Sequence, residues 1–209
     1  MAVCPLCSAR PAKRLCPAKD TQICAVCCGT KREIEIDCPS NCSYLRTGRD
    51  YEAEKRLPDP ELAAKAYTYD EAFLIRFTPV LNLISREIVE ERNQSRWLVD
   101  NDVIEVLKAV TATLKTLQAG IYYESPPEGP IRMALFRRLK SSMDHLMEPE
   151  QQLMERALKV SEAIDITEFL TLSVQSRASI RPRSRQYLDW LATMFGAVSS
   201  EERSGLILP

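Results

Sequence analysis

Histidine is almost missing from this 209-residue chain, and cysteine is missing altogether beyond Cys42. The one histidine, His145, has no obvious ligand or base partner, so it is expected to be a surface or boundary residue rather than a catalytic one. No P-loop, G-x-G-x-x-G or H-E-x-x-H pattern occurs. The Glu-x-x-His pairing of di-iron bundles is absent as well, although Glu87, Glu90 and Glu91 crowd one helical segment. No catalytic set is therefore expected, and the chain reads as a non-enzyme. No apolar run approaches the ~18 residues of a membrane span, so no transmembrane helix is expected. The opening residues, MAVCPLC, contain neither a basic segment nor an apolar one, which is not the pattern of a secretory signal. An excess of charge is lacking too. The formal net charge is −1, so the total pulls the chain onto neither nucleic acid nor an anionic membrane. A cytoplasmic protein is the expectation, and its composition is that of a globular one.

What is present is concentrated at one end. All eight cysteines lie between Cys4 and Cys42, in the spacing Cys4-x2-Cys7-x8-Cys16-x7-Cys24-x2-Cys27-Cys28-x9-Cys38-x3-Cys42. Clustered pairs without an export signal point to zinc rather than to disulfides. A redox-active C-x-x-C would open a helix after a strand in a larger α/β unit, and nothing here has that pattern. Eight thiolates fill two tetrahedral four-cysteine sites. Cys4/Cys7 and Cys24/Cys27 are expected to form the first site as two knuckles. Cys38 and Cys42, one helical turn apart, are expected to form the second with Cys16 and Cys28. Cys28 in place of Cys27, or a single zinc with spare thiols, are the alternatives left open. With every ligand a cysteine, no coordination position remains for water, so the sites are read as structural. A module this small depends on its metal to fold.

The stretch CPLC…RPAKRLCPAKD…ICAVCCGTKR…IDCPSNCSYL resembles cross-brace zinc fingers of the HIT, MYND and B-box types. It also resembles the N-terminus of a group of uncharacterised bacterial proteins. The match covers about a fifth of the chain. It departs from the HIT pattern at Lys19, where a cysteine is expected, and at Cys38/Cys42, where a histidine usually contributes. Cys28 is the candidate replacement. The resemblance implies zinc binding and, by analogy, protein–protein contacts.

The expected organisation is mainly α. A two-zinc module with short strands occupies residues 1–46, a linker 47–60, a helical bundle 61–198 and a tail 199–209. Strands are expected at 14–16 and 22–24, and another across the alternating Lys31-Arg-Glu-Ile-Glu-Ile-Asp37, with Gly29 in the turn before it. Helices are expected at 61–77; from a Thr78 cap and Pro79 to about 97; from Asp102 onward; at 131–147; at 150–177 with a break near Asp165; and after a Ser184 cap. Val103, Leu107, Val110, Leu114, Leu117 and Ile121 step by four and three, which makes an a/d seam. That seam is read as bundle interior, with a homodimer seam as the alternative. Tyr122, Tyr123 and Glu124 at its end are assigned to core packing ahead of a groove.

The favoured function is a protein–protein adaptor with a protein partner. The alternative is a nucleic-acid or ribonucleoprotein factor, motivated by Arg14, Lys31 and Arg32 and by Arg177, Arg181, Arg183 and Arg185. Residues 1–56 carry ten Lys/Arg against seven Asp/Glu. Two Zn(Cys)4 centres at −2 each turn that +3 into −1, which weighs against a nucleic-acid footprint.

Overall fold

The computed structural model describes residues 2–57 and 59–196; the tail expected at 199–209 lies outside the described residues. The expectation of a mainly helical protein with a small β-containing N-terminal module is borne out. Two compact units form. One comprises residues 2–57 with Ser179–Ser184, the other residues 59–178 with 185–196.

The first unit begins with a hairpin. Strand β1 (Arg14–Cys16) pairs antiparallel with β2 (Thr21–Ile23), with Leu15 opposite Gln22. The reversal uses Asp20 at φ 47, a left-handed conformation that aspartate tolerates better than most residues. Helix α1 (Ala25–Lys31) follows directly, and α2 (Ser43–Lys55) comes after a turn-rich segment. Cys16, Ile23, Cys24, Cys27 and Ile36 form the centre of this unit, with Leu45 of α2 also buried.

The strand expected across residues 31–37 does not form. Gly29 and Lys31 are inside α1, Glu33 turns to φ 54, and only an isolated bridge joins Arg32 to Ile36. The alternation still sorts the side chains, since Ile36 is buried and Ile34 exposed. What is missing is a neighbouring strand to complete a ladder. Residues 47–55, assigned above to a linker, are helical within α2.

The second unit is a helical bundle of α3 (Pro60–Ala66), α4 (Glu71–Gln94), α5 (Asp100–Gln118), α6 (Pro130–Met147), α7 (Val160–Arg177) and α8 (Gln186–Phe195). Asp59 caps α3 through the amides of Glu61 and Leu62. Asp70 caps α4 through the Phe73 amide at 2.8 Å. No helix starts at Thr78, because Pro79 lies inside α4. The stripe Phe77, Val80, Ile84 and Ile88 is buried across the proline. Its burial, at ~1.5–3 kcal/mol per large side chain, outweighs the ~3 kcal/mol cost of an interior proline. Gly129, at φ 93, sets the entry to α6, and Pro130 takes the first helical position.

Asp102 does not start α5. It sits in the first turn and reaches back to the Val99 amide at 3.2 Å. Residues 150–159 are not helical; Gln151 instead exchanges two hydrogen bonds with Met154. Nor does Ser184 cap α8. That role falls to buried Asp100 at the start of α5, whose carboxylate accepts the Tyr187 and Leu188 amides at 3.1 Å each.

α5 packs mainly on α7 and α6, and α4 on α6 and α8. The heptad seam is therefore bundle interior. Val103, Leu107, Val110 and Leu114 are fully buried. Leu117 is half-buried, and Ile121 lies beyond the helix and is exposed. Tyr122 and Tyr123 are exposed rather than core. No helix among the described residues is long and apolar enough to cross a membrane.

Candidate metal centre

The two knuckles are built by different local means. After Cys4, the Ser8 amide donates to the Cys4 carbonyl at 2.8 Å and the Cys7 amide to the same oxygen at 3.4 Å. This tight turn, with Ser8 at φ 50, brings the Cys7 sulfur back beside that of Cys4. The second pair lies on a helix start. Cys24 is the N-cap of α1, and its Sγ accepts the Cys27 amide at 3.3 Å.

These two turns meet. The Sγ atoms of Cys4, Cys7, Cys24 and Cys27 all lie within 4.8 Å of one another, and Cys7 and Cys24 are 3.9 Å apart. A tetrahedral zinc with bonds of ~2.3 Å has sulfur–sulfur edges of about 3.8 Å. The four-sulfur cage thus fits one such ion, and its donor set suits a soft or borderline metal. None of the eight cysteines is in a disulfide.

The cage has the electrostatics of a ligand set. The Ala9 and Arg10 amides, pointing at the Cys7 sulfur, bring its pKa down to about 6. Burial pushes Cys4 upward, but the Cys24 and Leu6 amides outweigh it, and the net shift is downward. Cys27 moves the other way, to about 12, first through burial and then through the neighbouring Cys24, Cys7 and Cys4 sulfurs. Four thiolates this close repel one another, and a divalent cation is what allows the last to ionise.

One four-cysteine site is evident, not two. Cys16, Cys28, Cys38 and Cys42 are not drawn together as a second such group among the described residues. Cys27, not Cys28, joins the cage, because successive residues of α1 point about 100° apart around the helix axis. Cys42 is the N-cap of α2. Cys38 has its thiol pKa raised, foremost by burial and further by Cys42, Glu33 and Cys16, although the Glu33 amide pulls the other way.

The basic residues singled out above are mostly committed. Arg181 grips Glu52 with two hydrogen bonds, at 2.7 and 2.9 Å, and lies 3.7 Å from Glu33. Arg185 donates to the Leu98 carbonyl, and Arg177 stacks on Trp190 at 3.9 Å. Lys31 pairs with Glu35. Glu87 and Glu91 both hold Arg138, and exposed His145 contacts Glu148 at 3.0 Å. The sequence reading missed Glu33, which is 1% exposed and bonded to Arg49 at 2.6 Å. Arg32, expected in a surface basic patch, is instead buried against Gly48. A glycine in the middle of α2 was the available signal for that close approach.

Comparison with known proteins finds no matching family model, no similar curated protein and no similar solved structure.

Proposed function

We propose that the first unit is a structural zinc module and that the protein works as a protein–protein adaptor, with this module as one of its contact surfaces. The observation that carries the reading is the buried four-sulfur cage of Cys4, Cys7, Cys24 and Cys27. An all-cysteine set saturates a tetrahedral ion and leaves no position for water or substrate, which favours architecture over catalysis. Zinc thiolates persist in a reducing compartment, so the cytoplasm is the proposed location. Leu15, Val26 and Tyr51 are exposed on the same unit and offer apolar contact area to a partner. The commitment of Arg177, Arg181 and Arg185 to internal partners removes much of the basic surface on which a nucleic-acid reading rested.

A second zinc on Cys16, Cys28, Cys38 and Cys42, in a cross-brace arrangement, extends this proposal. The influence of Cys16 and Cys42 on the Cys38 thiol supports it. Elemental analysis of protein purified without chelator, with a free-thiol titration, tests both statements. Two zincs and no reactive thiol are expected. One zinc with four titratable thiols limits the protein to the first site, and no zinc refutes the module. The adaptor role is tested by affinity capture. A partner retained by the native chain and lost with Cys24→Ser is expected; equal retention by both removes the module from the contact.

A further inference from the structure

An arginine buried without a counter-charge is costly unless something supplies one. Arg32 is such a residue. It is 7% exposed, and its Nε is buried with no hydrogen-bond partner. No ion pair involves it among the described residues, and the nearby carboxylates are taken: Glu33 by Arg49, and Glu52 by Arg181. The backbone makes room for this side chain. A Cβ on Gly48 would fall 1.3 Å from Arg32 Nη1 and 2.5 Å from its Cζ, so the guanidinium meets α2, Nη1 first, at a residue without a side chain to block it.

The guanidinium does not sit in a closed interior. Arg32 and Gly48 line a cleft of about 580 Å³ within the first unit, together with Arg14, Tyr44, Thr47 and Tyr51. Arg14 stacks over the Tyr44 ring at 4.8 Å, which brings a second cation to the same wall. Glu52 also lines the cleft, but its charge is neutralised by Arg181. Two cations with no carboxylate partner among the described residues, one of them almost out of water, face a space large enough for a small anion.

We propose that this cleft binds a phosphate monoester, with Arg32 as its buried anchor and Arg14 as its second cation. A monoester near neutral pH carries close to two negative charges, which matches the two guanidiniums. Its terminal oxygens can reach a recessed donor, and planar guanidinium forks are the groups that bind phosphate by paired hydrogen bonds. A phosphodiester has one charge and is flanked on both sides, so it fits a recessed anchor less well. The tyrosines supply ring faces and hydroxyls for the group that bears the phosphate. This site is separate from the metal cage, and its occupation does not depend on the adaptor reading.

The test is a titration of the full-length, zinc-loaded chain, followed by NMR at the Arg32 Nε–Hε resonance. Three probes are used: inorganic phosphate, a phosphoserine peptide with its unphosphorylated form, and a short single-stranded RNA. Saturable shifts with phosphate or with the phosphopeptide, but not with the unphosphorylated peptide, are expected. A phosphate response that the peptide does not improve assigns the site to a small molecule; tighter binding of the phosphopeptide assigns it to a modified protein. In Arg32→Gln the affinity should fall about 10- to 100-fold, as expected for loss of a charge-assisted contact. Zinc content should be unchanged, and ligand-free thermal stability should not decrease, because an uncompensated buried charge has gone. Gly48→Ala should weaken binding as well, by displacing the guanidinium. Absence of a saturable shift, equal binding by Arg32→Gln, RNA binding tighter than either monoester, or destabilisation of Arg32→Gln with zinc retained would each overturn the assignment.

Discussion

Removing the metal should unfold the first unit and leave the second intact. The magnitude follows from the side chains each unit buries. In the first unit the large apolar side chains taken fully out of water are Ile23, Ile36 and Leu45. At ~1.5–3 kcal/mol each they supply about 5–9 kcal/mol before any ordering cost is subtracted. A four-thiolate zinc contributes ~10–16 kcal/mol of binding free energy, which in a small module is folding free energy. The metal is therefore decisive there. The second unit has its own apolar core, running from Phe77 through Leu107 and Leu139 to Leu191. The assay is hydrogen exchange read by mass spectrometry, with and without a strong chelator under reducing conditions. Amides of Cys4, Cys27 and Cys28 and of the β1–β2 pair should lose protection, while those in the middle of α5 and α7 should keep it. Far-ultraviolet circular dichroism should change little, since the helices of the first unit are the short α1 and the 13-residue α2. Protection of the first unit that survives complete metal removal would refute the reasoning.

Replacing one cage ligand, as in Cys27→Ser, removes roughly a quarter of the binding free energy. It should weaken zinc affinity by about 100- to 1,000-fold in a competition titration with a chromogenic chelator. Metal uptake at neutral pH should release protons. Cys7, held at about 6, is already mostly thiolate at pH 7, whereas Cys27, pushed up to about 12, must lose its proton. Affinity should thus fall at least tenfold per pH unit on acidification, and more steeply below about 6 as Cys7 also protonates. Calorimetry in buffers of different ionisation enthalpy reads the released protons directly. In the bundle, Asp100→Ala leaves the Tyr187 and Leu188 amides without their acceptor. It should cost about 3 kcal/mol in urea unfolding, and Asp100→Asn distinctly less. Leu107→Ala, in the fully buried part of the seam, should cost about 2–5 kcal/mol by the same measurement.

Where local chemistry and tertiary packing agree, the sequence was a good guide. The first strand was legible to the residue, and so was the gathering of Cys4, Cys7, Cys24 and Cys27 into one cluster, because C-x-x-C spacing is itself a turn geometry. The interior seam was legible through its 3.5-residue period. The errors fall where a distant residue decides. Pro79 suggested a helix start, but the apolar stripe of α4 runs through it. Ser184 was a plausible cap by type, yet the cap of α8 is Asp100, more than eighty residues away in sequence. The alternation at 31–37 suggested a strand, but Glu33 turns the backbone so that its carboxylate meets Arg49 and Arg181. No local pattern encodes an ion pair spanning so much of the chain.

The Ser179–Ser184 segment makes the first unit discontinuous in sequence, and that limits its portability. Glu33 takes a hydrogen bond on its carbonyl from the Arg183 amide, and Glu52 is held by Arg181. A fragment ending at residue 57 would carry every cysteine and yet lack these partners. On the ribosome, the four-cysteine cage can close once residue 27 has emerged, but Arg181, the partner of Glu52 and a second cation beside Glu33, follows only some 150 residues later. Residues 2–57 are made well before the segment that completes their unit, so they are not a cassette that can be cut out and moved.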